Sequence, residues 1–216
     1  PPPEASVTQR KLDVALAGDG GGQFALDMQV DGAYAPEWRA RYLAEGTRRE
    51  RATRDLGTEI GAVELAPGKG GLEVNDLDDE EQPVHVRARG RATVFARKDG
   101  DVLSFPAGPM HQIVPDYASL STRRTDIELH ALSERDDTWT VRLPAGMHVT
   151  RAPVPARVDT PFGRFSLAYE EQQGKVVVHA TLAFKKARIT PAEYPAWRSF
   201  CEAVDRAFGQ RVVVGK

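Results

Sequence analysis

The residue that could act as a thiol nucleophile is Cys201, because the chain of 216 residues contains a single cysteine. A reactive thiolate needs a lowered pKa, which a helix N-terminus or a nearby imidazolium supplies. Cys201 instead lies within an apolar pattern spaced 3, 4, 3 and 4 residues apart, which is typical of one helix face. The sequence therefore predicts a buried core cysteine. A single cysteine also excludes a disulfide framework and a cysteine-based zinc site.

The histidines do not form a local metal-binding pair, because none lies three or four residues from another. They are His85, His111, His130, His148 and His179. His85, His130 and His179 fall on the polar faces of predicted strands, so we expect these three side chains to be solvated.

Two further segments could bind ligands through local chemistry. The acidic run at residues 75–81 offers oxygen ligands for calcium, but it lacks the glycine-containing 12-residue loop of the known motif. The glycine run at residues 18–22 lacks the lysine and the following helix of a phosphate-binding loop. We therefore expect solvated loops at both places and predict no metal or cofactor.

Four arginines at strand spacing form the candidate binding site, which we call the arginine stripe: Arg87, Arg89, Arg91 and Arg97. Such a stripe could bind a polyanion, such as a phosphate-bearing or acidic glycan. It could equally be an edge or solvent face that charge keeps soluble, opposed by the acidic run before it. The sequence leaves both interpretations open.

The overall composition is that of a globular protein. The net charge is -2, the hydrophobic fraction is 41% and the charged fraction is 28%. A chain so close to neutrality is not typical of a dedicated nucleic-acid binder. No apolar run approaches the roughly 20 residues that span a bilayer. We therefore expect no nucleic-acid partner and no membrane insertion.

The elements that must position these residues are mostly strands. Residues 84–97 alternate between apolar and polar side chains, with Val94 on the apolar face and Phe95 on the polar face. An Asp99-Gly100 turn then returns the chain. Similar alternating segments lie at 7–16, 23–30, 127–131, 139–143, 165–169 and 176–184. Turn signals separate them at the spacing of an antiparallel sandwich.

Two regions carry helix signals. Near residues 36–57, Gly46 interrupts a first helix, and Thr47 and Glu50 form a capping box that predicts the start of a second. Near residues 191–208, a second capping box precedes the amphipathic pattern that contains Cys201.

The predicted fold is mainly β with minor α, built from antiparallel β-sandwich modules with a helical insertion and an amphipathic C-terminal helix. Residues 1–5 begin with three prolines and no methionine, which predicts a stiff linker and a piece of a larger protein. Residues 6–110 form the predicted first module, with the helical insertion. Residues 111–216 form the predicted second module, with the C-terminal helix.

Four stretches of the chain carry motifs that together resemble a known arrangement. They are Gln23-Phe24-Ala25-Leu26 with Gly32-Ala33-Tyr34-Ala35 and Trp38-Arg39; Glu73-Val74-Asn75-Asp76-Leu77-Asp78-Asp79 with Pro83-Val84; Arg123-Arg124-Thr125-Asp126-Ile127; and Tyr194-Pro195-Ala196-Trp197-Arg198-Ser199-Phe200 with Val204-Asp205 and Gln210-Arg211-Val212-Val213-Val214. Their order resembles the region that follows the catalytic domain in bacterial transglutaminase-like proteins, which carry flanking domains of unknown function.

The resemblance implies a β-rich C-terminal module beside a papain-like domain with a Cys, His and Asp triad. No position in this chain matches that triad, so no catalytic residue is carried over. The implied partner is an upstream transglutaminase-like domain of the same polypeptide, and a protein or polysaccharide is a further possible partner. The resemblance also suggests the bacterial cell envelope or periplasm as the location.

Three functional hypotheses follow. The leading one is a non-catalytic C-terminal module of a larger transglutaminase-like protein, which positions a domain or binds a substrate or partner. The alternative is a carbohydrate- or polyanion-binding module that uses the arginine stripe. The third is an enzyme with carboxylates that are scattered along the sequence and meet in the fold, although no local constellation of residues favours it.

Overall fold

The structure, a computed structural model, describes residues 6–109 and 112–216. Strands predominate in it, which confirms the predicted mainly β fold with minor α. The strands are β1 (Val7–Leu16), β2 (Gly22–Val30), β3 (Val63–Leu65), β4 (Leu72–Asn75), β5 (Val84–Ala92), β6 (Arg97–Asp99), β7 (Val102–Pro106), β8 (Ile127–Glu128), β9 (Glu134–Arg142), β10 (His148–Arg151), β11 (Ala156–Asp159), β12 (Gly163–Gln172), β13 (Lys175–Phe184), β14 (Arg188–Ile189) and β15 (Arg211–Gly215). The α-helices are α1 (Ala35–Tyr42), α2 (Glu45–Ile60), α3 (Ile113–Tyr117) and α4 (Tyr194–Phe208). The predicted linker at residues 1–5 and His111 lie outside the described residues.

The largest layer is a nine-stranded sheet in the order β11-β12-β13-β9-β1-β2-β5-β3, with β4 also paired to β5. Side chains alternate along its long strands between buried and accessible positions. The buried side is called the inner face here, and the solvent-exposed side is called the outer face.

One pair of strands in this sheet is parallel, which corrects the expectation of antiparallel pairing. β1 forms an antiparallel hairpin with β2 on one side and lies parallel to β9 on the other. Alternation along a strand predicts which face is buried but carries no information about the direction of a neighbour. The sequence pattern therefore could not reveal this pair.

A second sheet completes the sandwich. Its order is β10-β15-β7-β6, and β8 and β14 form a separate two-stranded pair. Phe105 of β7 stacks on Phe95 with ring centroids 5.7 Å apart, and Phe95 contacts Trp139 of β9 at 6.2 Å. The aromatic contacts place the core between this sheet and the inner face of the larger one.

The strand predicted over residues 84–97 is shorter than expected. β5 ends at Ala92, and the backbone N–H of Ala96 donates to the carbonyl of Gly20 at 2.8 Å, so the chain turns before β6. The turn breaks the alternation. Phe95 is therefore buried and Val94 is 62% exposed, the reverse of the expected faces.

Both sheets cross the position predicted to separate two modules. β1 pairs with β9, and β7 pairs with β15, so strands from residues 6–110 and 111–216 share ladders. The buried apolar side chains of the described residues also form one contiguous cluster. Hydrogen bonding and core are therefore continuous across residue 110, and the two modules with these boundaries stay a prediction.

The helical insertion is present as α1 and α2, but its predicted capping box is wrong. α2 begins at Glu45, so Gly46 lies inside the helix rather than interrupting it. The hydroxyl of Thr47 donates to the carbonyl of Ala44 at 3.4 Å. Thr47 is thus already helical and cannot serve as the cap.

The C-terminal amphipathic helix is confirmed as α4. The carboxylate of Glu193 accepts hydrogen bonds from the backbone N–H and the hydroxyl of Thr190, at 3.1 and 3.0 Å. The helix begins at the next residue, Tyr194, and Pro195 lies in its first turn, where a missing N–H costs little. The predicted buried face includes Trp197 and Cys201, both 0% exposed.

Candidate functional site

Cys201 lies in the core, as predicted. Its side chain is 0% exposed on the buried face of α4, between Trp197 and Val204. Burial raises the pKa of the thiol to about 12, and the nearby carboxylate of Asp205 adds to the effect. At neutral pH this group is a protonated thiol held away from solvent.

The described histidines do not converge on a site. His130, His148 and His179 are exposed and His85 is half-buried, which confirms the solvated positions expected for His85, His130 and His179. The Nδ1 atom of His179 lies 3.2 Å from the hydroxyl of Thr138 on the neighbouring strand. Within residues 6–109 and 112–216, no group of three or more histidine, cysteine, aspartate or glutamate side chains is arranged to hold a metal ion.

The acidic run at residues 75–81 forms the exposed connection between β4 and β5. Arg39 of α1 fastens this loop by donating to the backbone carbonyls of Asp79, at 2.8 Å, and Gln82. The contact is therefore between a guanidinium and the backbone.

The structure divides the arginine stripe between two sheets. Arg87, Arg89 and Arg91 project from the outer face of β5, but Arg97 lies on β6 in the second sheet. The break after Ala92 separates them. The prediction that all four arginines share one strand is therefore wrong.

Carboxylates oppose the three arginines that remain together. Arg87 pairs with Asp27 at 3.3 Å and Arg91 pairs with Asp19 at 3.1 Å. Beside them is a shallow depression of about 510 Å³. Its charged lining residues are Lys11, Arg87, Arg89, Asp13, Asp27 and Glu73. Three positive and three negative side chains balance each other, so the depression has no net charge to attract a polyanion.

Toward β9, β13 and β12, the outer face carries hydroxyl side chains in place of the ion pairs found beside β5. Thr138 and Thr140 of β9 lie beside His179 and Val177 of β13, whose next outward residue is Thr181. The hydroxyl of Thr181 lies 2.7 Å from that of Ser166 on β12. We call these residues the hydroxyl patch: Thr138, Thr140, Ser166, Val177, His179 and Thr181. Arg142, Lys175, Asp136 and Arg164 flank it on the same strands.

A buried ion cluster on the inner face was not predicted. Arg10 of β1 lies directly beside Asp137 of β9, and its Nε donates to Asp137 at 2.6 Å. Another nitrogen of the same guanidinium donates to Glu59 of α2. Arg10 and Asp137 are each 5% exposed. Burial alone would lower the pKa of Arg10, but the two carboxylates outweigh burial and raise it.

The sequence did contain a signal for this cluster. In β1, Arg10 occupies the same alternating face as Leu12 and Val14. In β9, Asp137 shares its face with Trp139 and Val141. Two opposite charges in apolar positions indicate a buried pair, although only the fold shows that they meet.

The ion cluster lines one wall of a small polar trough beside α1 and α2. The trough consists of two adjoining hollows of about 90 and 100 Å³, which share Tyr34, Ser133 and Arg135 in their linings. The first hollow also contacts Arg10, Glu59 and Asp137, together with Trp38. The trough is therefore a place where charged, hydroxyl and aromatic side chains converge.

None of the helices in the described part of the chain is long and apolar enough to cross a membrane.

Comparison with known proteins gives one family. The model of a domain of unknown function with a solved structure, DUF3858, matches residues 101–214, just over half of the chain. The crystal structure of a proposed protease from Parabacteroides distasonis is 24% identical, with a TM-score of 0.41, and the match covers 45% of this chain. The chain spans 19% of that protein's length. No curated protein matches the sequence.

Proposed function

Because the chain belongs to the DUF3858 family of domains of unknown function, we propose that it is a non-catalytic module of a larger transglutaminase-like protein. In this proposal it positions an upstream transglutaminase-like domain of the same polypeptide, or binds that domain's substrate or partner. The bacterial cell envelope is the proposed location. The transglutaminase-like parent protein, the upstream domain and the cell-envelope location all rest on the sequence resemblance.

The position of Cys201 carries the non-catalytic part of the proposal. Amide transfer by a transglutaminase-like mechanism needs a thiolate beside a base that activates it. The chain's single cysteine is fully buried in α4, and its pKa is raised to about 12. A substrate carbonyl could reach this sulfur only if α4 left the sheet.

The outer face of the large sheet supports the binding part. Protein interfaces commonly combine an uncharged centre with a charged, hydrated rim. The hydroxyl patch, with Thr138 near its centre, has this arrangement because Arg142 and Lys175 border one end and Asp136 borders the other. A flat sheet surface of this kind suits a neighbouring domain better than a small molecule.

The alternative polyanion-binding function is less well supported by the geometry. Arg87 and Arg91 already pair with carboxylates, and the depression beside Arg89 is balanced in charge. If the arginines do bind a polyanion, affinity for a heparin-like matrix should fall steeply with salt and disappear when Arg87, Arg89 and Arg91 are changed to Gln.

The proposal is tested by assaying the purified chain for amine incorporation and peptide cleavage. We expect no turnover by the chain or by its Cys201→Ala variant. Native Cys201 should also react slowly with a thiol reagent and rapidly after denaturation. Turnover that is lost in Cys201→Ala would overturn the non-catalytic assignment, and rapid native labelling would contradict the core position.

A further inference from the structure

Burying the ion cluster at the polar trough costs more free energy than attaching a helix to the sheet by apolar contacts would. Removing charges from water costs several kcal/mol for each ion in real proteins, and well-packed apolar residues often stabilise as well or better. Arg10 and Asp137 are nevertheless each only 5% exposed. Their position in the wall of an open hollow suggests a role in binding in addition to a role in packing.

The charges around the first hollow balance, which constrains the ligand. Arg10 and Arg135 contribute two positive charges, and Glu59 and Asp137 contribute two negative charges. A charged ligand would bring an uncompensated charge into this partly dehydrated space. A neutral ligand with several polar groups would meet hydrogen-bond donors and acceptors together.

Aromatic side chains stand beside these polar groups. Trp38 and Tyr34 are half-buried and line the first hollow. Trp38 stacks on Tyr42 with ring centroids 5.7 Å apart and an angle of 24° between the rings, which fixes its orientation. Binding sites for small molecules commonly combine aromatic walls with a few convergent polar groups.

From these observations we infer that the polar trough is a subsite for one ring of a neutral saccharide. A sugar ring offers a weakly polar face to Trp38 or Tyr34. Its hydroxyls can donate hydrogen bonds to the carboxylates of Glu59 and Asp137 and accept them from the arginines. Each hollow, at about 90 to 100 Å³, has room for a single ring or less. Engineered cavities of about 150 Å³ accept benzene. The two adjoining hollows match one ring with its substituents.

This site differs from the arginine stripe and goes beyond the proposed function. The trough lies on the inner face, whereas Arg87, Arg89 and Arg91 lie on the outer face. Saccharide binding in the trough also does not depend on an upstream domain. A failure of this inference would therefore leave the proposed non-catalytic function standing.

The experiment uses the fluorescence of Trp38. Of the chain's three tryptophans, Trp139 and Trp197 are almost fully buried, so a ligand in the trough should change mainly the emission of Trp38. The probes are the neutral hexasaccharides of cellulose, chitin, starch and mannan, titrated separately. We expect at least one to shift the emission and to show matching heat in calorimetry.

Matched variants locate the binding. Trp38→Ala should weaken affinity about tenfold, equivalent to about 1.4 kcal/mol, and Tyr34→Ala should weaken it severalfold. Both side chains are half-buried and neither change removes a charge of the ion cluster, so both proteins should remain folded by circular dichroism. Glu59→Gln should also weaken binding, whereas Arg89→Gln on the outer face should not.

Three results would overturn the inference. The first is no binding of any probe, and the second is binding that survives unchanged in both Trp38→Ala and Tyr34→Ala. The third is binding restricted to acidic saccharides or peptides, since the charge balance of the first hollow predicts a neutral saccharide.

Discussion

Two helical layers cover different parts of the inner face, and different interactions hold them there. α4 is attached by apolar contacts: Trp197, Cys201 and Val204 are completely buried. Phe208 packs edge-on against Phe165 of β12 with ring centroids 5.2 Å apart. This layer is an amphipathic helix on a sheet, and burial of apolar surface is its main source of stability.

Charged side chains help to hold the layer formed by α1 and α2 to the sheet, whereas the charged side chains Arg198 and Asp205 of α4 bind the segment at residues 113–120. Glu59 pairs with the buried Arg10, and Arg49 donates to the carbonyls of Leu65 and Ala66 at 2.7 Å each. Arg48 donates to the carbonyl of Tyr42 at 2.7 Å.

The comparison shows that one sheet can carry, side by side, a helical layer whose stability depends little on pH and another whose stability depends on charged groups. Apolar burial is non-directional and depends little on pH, whereas ion pairs depend on geometry and on protonation. The layer held by charges is also the one that borders the polar trough. We therefore expect α1 and α2 to open at lower free energy than α4.

The largest expected effect is in the apolar layer. Trp197→Ala should lower the free energy of unfolding by about 3–5 kcal/mol, because it leaves a cavity and removes the hydrogen bond from Nε1 to the carbonyl of Tyr117. Chemical denaturation measures the loss, and Trp197→Phe is the control that keeps a ring. A loss below about 1 kcal/mol would show that α4 is not docked as described.

The next largest effect is in the ion cluster. Asp137→Ala should destabilise by about 3 kcal/mol, because the buried Arg10 then lacks one of its two carboxylates. The double variant Arg10→Met with Asp137→Leu should recover much of that loss, since it removes the uncompensated charge. Equal instability of the single and double variants by denaturation would contradict this account.

A smaller effect is expected at Asp55 in α2, which accepts hydrogen bonds from Arg41 at 2.7 Å and Tyr42 at 2.8 Å. Burial would raise the pKa of Asp55, but these donors outweigh it and lower the pKa. The stabilisation is therefore present above the unfolded pKa of about 4 and is lost as the pH falls through the lower folded value. Asp55→Asn should cost about 1 kcal/mol at neutral pH. It should also flatten the dependence of unfolding free energy on acid pH, and an unchanged acid dependence would argue against the role of Asp55.

The smallest effect is expected on the outer face. Asp27→Ala removes the partner of Arg87, but both side chains are at least half exposed, so the loss should be below about 0.5 kcal/mol. Thermal unfolding at low and high salt provides the measurement. A loss comparable to that of Asp137→Ala would mean that exposed and buried ion pairs in this protein are not energetically distinct.

Sequence patterns predicted the local features of this fold and missed the long-range ones. The spacing of Trp197 and Cys201 predicted α4 because a helix face is encoded within a few neighbouring turns. The parallel pairing of β1 with β9 and the meeting of Arg10 with Asp137 join residues 127 positions apart. Periodicity has no means of specifying such partners.

In the candidate site, too, the local features were predicted from the sequence and the long-range contacts were not. The sequence predicted outward-facing arginines at 87, 89 and 91, but the turn after Ala92 carried Arg97 to another sheet. The opposing carboxylates, such as Asp27, come from neighbouring strands and could not be placed from spacing alone. The polar trough was missed because its lining residues come from many separate elements, among them β1, β9, β13, α1, α2 and α3, which meet only in the folded protein.

The difference between the two helical layers is tested most directly by native-state hydrogen exchange, followed in peptides covering residues 45–60 and 194–208. At neutral pH, α2 should exchange at lower opening free energy than α4, whose exchange should approach global unfolding. Below about pH 4, protection should fall first in α2, because the carboxylate of Asp55, whose pKa is lowered in the folded state, then becomes protonated and loses its stabilising hydrogen bonds. Equal protection in both helices, lost together on acidification, would contradict the account.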